Sequence, residues 1–391
     1  MNQDIHLYPS MTYAGSDIGE SSFNSGESAV ARDETSKLCD ESSVIHGGDL
    51  YSASRHYGIP LDYWIDLSTG INPDPYPVAD PDPIAFQRLP YLSPLLLERA
   101  SGYYGNAQLL PISGTQTAIQ SLPGCLTSFP LLVPRIGYQE HALQWSKSGA
   151  EIISYPSFDQ EEASDFIDRY LQKNRCCHLL VINPNNPTGM RFPPEKLREW
   201  ADRLDEGCYL IVDEAFMDLT PDESVLTHHF TGNMVVLRSF GKFFGLAGIR
   251  LGFMFGNPTI RNRVQQVAGV WNVNGPAQSI AIDAFANHLW HRKARYRIQT
   301  SATYTETLFR GMMEVLNPLQ STHQGLFSSY LIKTDLAREA QSFLAERGIL
   351  VRVINVNGKY SLLRTGLVNP ADTASCKRIE QAVTSYFLKR K

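Results

Sequence analysis

Short unbroken apolar runs punctuate the middle of this chain, at residues 131–134, 178–183 (HLLVIN), 209–212 (YLIV) and 234–237. A strand with one wet face alternates apolar and polar residues; a run without alternation fits a strand covered on both faces. Asn186, Asp213 and Lys242 follow three of these runs at intervals of 27 and 29 residues, and each interval suits a strand-helix-strand unit. The pattern predicts an α/β fold with a mostly parallel sheet sandwiched by helices, and it brings those three residues to one sheet edge. Helical spacing predicts further helices after the HGGDL segment (46–50), over 95–104, and from Gly114-Thr115, with Ala118, Ile119 and Leu122 facing inward. Toward the C-terminus, amphipathic helices over 298–316 and 335–347 alternate with strands over 327–333, 350–354 and 360–363, which predicts a smaller α+β unit.

Residues 1–44 break the pattern. They are rich in Ser, Glu, Asp and Gly and show no sustained period, so they are expected to form a flexible polar extension. Residues 64–68 (WIDLS) alternate like a strand, and Pro73, Pro75 and Pro77 then end regular structure.

Composition narrows the function. The 391 residues are 43% hydrophobic and 19% charged, enough for a substantial core. A net charge of −5 offers no basic surface for nucleic acid, so an anionic substrate would need local arginines. The six cysteines lack paired metal-ligand spacing; inert thiols in a reducing cytoplasm are expected, and no metal site. No apolar segment reaches 18 residues and no basic-then-apolar leader is visible, so neither a membrane span nor a secretory signal is expected.

The candidate chemistry centres on 239–250, SFGKFFGLAGIR. A lysine among aromatic residues loses hydration, its ammonium is disfavoured, and the free amine can attack a carbonyl. Ser239 and Arg250 flank Lys242 with a hydroxyl and a guanidinium suited to a phosphate dianion. Gly114 and Thr115 open a helix, whose backbone N–H groups also favour phosphate. NPNNPTG (183–189) is a rigid polar loop at a strand's C-terminal end, where open α/β sheets place ligands. Asp213 and Glu214 end an apolar strand as an acid pair that needs partners.

NPNNPTG, DEAF (213–216) and SFGKFFGLAGIRLG (239–252), in this order and spacing, resemble the fold-type I pyridoxal-phosphate enzymes related to aspartate and histidinol-phosphate aminotransferases. The resemblance runs from His46 to the C-terminus. HGG, LSTGINP, VDEAFMD and LRSFGKFFGLAGIRLGF are closer to the threonine-phosphate decarboxylase branch of cobalamin biosynthesis. The resemblance implies an N-terminal arm over 45–75, a cofactor-binding large domain over 76–280 and a small C-terminal domain over 281–391. It implies that Lys242 binds pyridoxal 5'-phosphate covalently, that Asp213 pairs with the pyridine nitrogen, and that Asn186 donates to the ring's 3-oxygen. Tyr138 resembles the ring-stacking aromatic. Gly114, Thr115, Gln116, Ser239 and Arg250 resemble the cradle for the cofactor phosphate. Arg364 resembles the arginine that grips the substrate α-carboxylate, and His46 and Asn72 are expected to contribute to a site for a substrate phosphate. Arg352 either reaches the site or pairs at the surface.

The implied activity is decarboxylation of L-threonine O-3-phosphate to (R)-1-amino-2-propanol O-2-phosphate by a cytoplasmic homodimer. An aminotransferase acting on histidinol phosphate or a similar amine is the alternative. A pyridoxal-phosphate-sensing regulator would need a basic DNA-binding module ahead of the fold, and the first 44 residues are too few and too polar. Two departures stand out. Phe216 occupies a position where aminotransferases of this group carry a tyrosine, and Leu89-Pro90 falls where relatives have Tyr-Pro reaching the partner subunit's cofactor phosphate.

Overall fold

The computed structural model describes residues 47–391. The expected extension over 1–44, and His46, lie outside the described residues. In chain order the strands are β1 (Ile65–Asp66), β2 (Leu109–Ile112), β3 (Leu131–Pro134), β4 (Ile152–Tyr155), β5 (His178–Ile182), β6 (Leu210–Asp213), β7 (Met234–Ser239) and β8 (Gly252–Phe255). All but β1 join in a seven-stranded sheet of order β2-β8-β7-β6-β5-β3-β4. Neighbours from β7 to β4 run parallel, and β8 alone runs against its neighbours.

Each central strand feeds two cores, which is why its sequence shows no polar alternation. Leu179, Val181, Leu210, Val212, Val236 and Phe253 pack on one face of the sheet. Leu180, Ile211, Val235, Leu237 and Met254 pack on the other. The crossover from β5 to β6 carries the expected helix, Pro194–Arg203, with Leu197, Trp200 and Ala201 buried. The crossover from β6 to β7 does not. Two 3₁₀ turns, Met217–Leu219 and Pro221–Glu223, and a single helical turn, Val225–His228, fill it.

A buried charge explains this second crossover. Arg238 on β7 is 2% exposed. Its Nη1 donates to Glu214 at 3.1 Å and its Nη2 to Asp218 at 2.8 Å, so the chain after β6 folds tightly over the arginine. Glu214 also accepts from the Val225 N–H at 3.0 Å and from the Ser224 hydroxyl. Burial pushes the Glu214 carboxyl up, against the pull of Arg238. Removing one partner of such a pair strands the other charge, so Glu214→Leu is expected to cost about 3–5 kcal/mol in a denaturant titration. A loss below about 1 kcal/mol would show the network to be dispensable.

The C-terminal strands are β9 (Gln320–His323), β10 (Ser328–Lys333), β11 (Ile349–Leu350), β12 (Arg352–Asn355) and β13 (Tyr360–Thr365). Four of them form an antiparallel sheet of order β12-β13-β10-β9. The strand expected over 350–354 is split. Residues 349–350 pair with β1, whereas 352–355 pair with β13. The helix expected from residue 298 begins at His288, where Asn287 caps the Trp290 N–H. Its first half places Trp290, Ala294 and Ile298 in the main core, and its second half places Phe309, Met312 and Leu316 in a C-terminal core. The final helix, Thr373–Arg390, completes that second core with Cys376, Ile379, Ala382, Val383 and Tyr386. No helix among the described residues is long and apolar enough to cross a membrane.

Residues 65–76 tie the two regions together. The Leu67 N–H donates to the Leu350 carbonyl at 2.8 Å, and the N–H groups of Asn72 and Tyr76 donate to the carbonyls of Lys242 and Phe244 at 3.0 and 2.9 Å.

Candidate active site

The C-terminal ends of β5, β6 and β7 open on a cavity of about 510 Å³ that Asn186, Asp213, Ser239 and Lys242 line. Gly114, Thr115, Gln116, Tyr138 and Arg250 line it as well. Lys242 stands on a single helical turn, Phe240–Phe243, rather than in an irregular glycine-rich loop. The turn is held by apolar packing: Phe240 and Phe244 stack at 4.2 Å, and Phe243 is buried beside them. Burial lowers the Lys242 ammonium from the usual lysine range to about 8, the Arg364 charge adds to this, and Asp213 opposes it. The ammonium lies 5.7 Å from the centre of the Phe216 ring.

Asp213 is braced on both oxygens. Oδ1 accepts from the Ala215 N–H at 3.0 Å, and Oδ2 lies 2.9 Å from His141 Nε2. With Asp213 ionised, the imidazole is the donor. His141 is 1% exposed and meets the Tyr138 ring edge-on at 6.2 Å. The sequence reading missed this histidine. Its signal is a position three residues after Tyr138, on the first turn of the helix Glu140–Lys147.

The opposite wall is built for an anion. Gly114 has φ +76°, and a Cβ there would come within 2.6 Å of Arg250 Nη2, so the guanidinium can lie against the start of the helix Thr115–Cys125 only because the residue is glycine. A helix N-terminus, a guanidinium and the Ser239 hydroxyl line this end of the cavity. The Gln116 side chain, which lines the cavity, is engaged at both ends of its amide. Nε2 donates to Glu140 at 2.7 Å and Oε1 accepts from the Tyr138 hydroxyl at 3.3 Å, so the amide braces the tyrosine. Burial pushes the Tyr138 phenol up to about 12.

Arg364 on β13 is 3% exposed. Its Nη1 donates to Asn186 Oδ1 at 2.6 Å, its Nη2 donates to the Ser68 carbonyl, and its Nε is buried with no partner. Burial lowers its pKa to about 9, and Arg352 acts in the same direction. Arg352 sits opposite Arg364 in the β12–β13 register, and its charge interacts with Tyr138. Asn72 is 4% exposed. Its Nδ2 donates to the Phe243 carbonyl at 2.9 Å and its Oδ1 accepts from the Asp74 N–H at 3.0 Å, so the side chain helps hold the lysine turn.

The aminotransferase class I and II family model matches residues 86–379. The chain is 37% identical over 342 residues to a threonine-phosphate decarboxylase of Pseudomonas aeruginosa, an alignment that covers 87% of this chain and 97% of the relative. Among solved structures it is similar to L-threonine-O-3-phosphate decarboxylase from Porphyromonas gingivalis, with a TM-score of 0.61 and 18% identity over 88% of this chain and 98% of that one. It is also similar to histidinol-phosphate aminotransferase from Sinorhizobium meliloti in complex with pyridoxal-5'-phosphate, with a TM-score of 0.68 and 17% identity over 90% and 100% of the two chains. At these identities the two structures speak for the fold, and the Pseudomonas relative speaks for the branch. The chain belongs to the class I and II aminotransferase family, on the branch that includes the threonine-phosphate decarboxylases.

Proposed function

We propose that this protein is a pyridoxal-phosphate-dependent lyase that releases the α-carboxylate of L-threonine O-3-phosphate and forms (R)-1-amino-2-propanol O-2-phosphate for cobalamin biosynthesis. The identity to a decarboxylase across 97% of its length supports the branch. The geometric observation that carries the reading is Arg364: a buried guanidinium beside Lys242 whose hydrogen bonds go to two neutral oxygens, with Nε left over. A buried charge so placed favours an anionic substrate.

The residues present fit the cofactor. The close approach of Arg250 to Gly114 suits a phosphate, Tyr138 offers a flat face, and Asp213 offers a carboxylate braced by His141. When bound, pyridoxal phosphate supplies an aldehyde for the amine and a ring that accepts the electron pair left by the departing carboxylate. The chain's own residues do the rest. Asp213 holds a proton at the ring nitrogen, and His141 keeps the carboxylate aimed. Asn186, with Oδ1 taken by Arg364, is left to donate from Nδ2. Arg364 and Arg352 receive the substrate's anionic groups, and fixing both ends restricts its rotation. Lys242 Nζ returns a proton to the carbon that lost the carboxylate.

The five described cysteines are free thiols, in keeping with a reducing cytoplasm. We infer a homodimer from the exposed apolar residues Leu89, Tyr91, Val270 and Trp271, with the Tyr91 and Trp271 rings 6.1 Å apart.

Capture of pyridoxal phosphate by the cofactor-free protein should accelerate as pH rises through about 8, because below that the Lys242 ammonium predominates and cannot attack. Rapid-mixing absorbance measures this, and a rise only near pH 10, as for an ordinary lysine, would contradict it. The activity itself is tested by comparing substrates. Turnover of threonine phosphate, with little of free threonine or histidinol phosphate, is the expected result; preferred turnover of histidinol phosphate would favour the aminotransferase.

A further inference from the structure

We propose that Gln324 is a positioning residue for Arg364, acting through a clasp between the β9–β10 turn and the 183–191 loop. The inference rests on the reading of Arg364 as a substrate anchor. Gln324 uses both ends of its amide. Nε2 donates to the Gly189 carbonyl at 2.9 Å, and Oε1 accepts from Arg191 Nε at 2.9 Å. The approach is close enough that only glycine fits at 189: its φ is +77°, and an added Cβ would run into Thr322 and come within 2.8 Å of Gln324 Nε2. Arg191 is itself tethered. Its Nη1 donates to Thr220 at 2.9 Å and to Glu223 at 2.5 Å, both in the segment that follows Asp213. The clasp thus fixes the C-terminal hairpin to the main sheet.

Two routes lead from the clasp to the same guanidinium. Three residues back from Gly189 along the loop stands Asn186, whose Oδ1 accepts from Arg364 Nη1. Five residues on from Gln324 along β10 stands Ser329, which is the cross-strand partner of Arg364 on β13. The loop and the strand therefore close a ring whose two fastenings are the Gln324 amide and the Arg364–Asn186 bond. Releasing the first lets the loop and the hairpin slide past each other, and the second must follow. A displaced anchoring group loses contact energy with the bound substrate while the fold is kept. Gln324 is only half-buried and lies at a turn, so its loss opens no cavity in either core.

Gln324→Leu keeps the side chain's size and removes both hydrogen bonds. With the cofactor-loaded enzyme, KM for threonine phosphate is expected to rise about tenfold with kcat changed less than about twofold. Pyridoxal phosphate affinity, followed by its visible absorption, should stay within about twofold. Gln324→Glu keeps the acceptor for Arg191 but not the donor to Gly189, and should fall between wild type and Gln324→Leu. Arg191→Lys, which loses the planar fork, should repeat the KM effect. In an Arg364→Lys background, Gln324→Leu should add less than about twofold, because both act through one guanidinium. Additive losses, or a fall in cofactor affinity matching the rise in KM, would reduce Gln324 to a general structural residue and overturn the proposal. If Arg364→Lys raises KM and Gln324→Leu does not, the clasp alone fails. If Arg364→Lys leaves KM unchanged, the anchor reading fails and the clasp with it.

Discussion

Lys242→Ala is expected to lower turnover by roughly 10³-fold or more, because in the proposed mechanism one nitrogen both captures the cofactor and returns the proton. The same change should leave folding of the cofactor-free protein nearly intact. In the folded chain the lysine's pKa is lowered to about 8, so its stability contribution rises as pH climbs from about 8 toward the ordinary value near 10.5 and is least favourable below 8. At neutral pH the desolvated ammonium therefore disfavours the folded state, which alanine relieves while losing some packing. Borohydride reduction of the loaded wild type should attach the cofactor at Lys242, as read by peptide mass mapping. An adduct at another lysine would remove the chemistry from the β7 turn.

Asp213→Ala is expected to cost roughly 10²–10³-fold in kcat, the scale of one lost electrostatic group in a preorganised site. Asp213→Asn separates charge from shape: the amide can still meet the Ala215 N–H and His141, but it cannot hold a proton at the ring nitrogen. It should therefore lose nearly as much turnover as alanine while keeping more stability. His141→Ala should move turnover in the same direction by less, since the imidazole acts only by bracing Oδ2. Full turnover in Asp213→Asn with cofactor bound would show that the carboxylate's charge is not used.

The central strands were legible because β5, β6 and β7 feed cores on both faces, and an unbroken apolar run is the direct trace of that burial. Placing Asn186, Asp213 and Lys242 on one edge followed from the strand ends alone. Other features left weaker traces. β8 reads GFMF and carries no mark that it runs antiparallel, since direction depends on the chain's path after Arg250. The missing crossover helix after β6 depends on the demand of Arg238 for Glu214 and Asp218, tertiary pairings across 24 and 20 residues. The helix Thr373–Arg390 carries a helical period in its buried positions Cys376, Ile379, Val383 and Tyr386. Residue types suggested Asn72 as a ligand but gave no sign that its amide also braces backbone groups of residues 74 and 243. An asparagine that binds substrate and one that braces a turn read the same in a sequence. Gln324 illustrates the same limit, because its meaning lies in partners more than 130 residues away.

The proposed reaction breaks the bond to the substrate carboxylate. Threonine phosphate labelled with carbon-13 at that carboxylate, mixed with an equal amount of cofactor-loaded protein for a single turnover, reads the fate of that bond. One labelled carbon dioxide per active site, with the cofactor recovered as pyridoxal phosphate, is the predicted result. Label retained in an oxo acid, with the cofactor recovered as pyridoxamine phosphate, would contradict it and make the protein an aminotransferase.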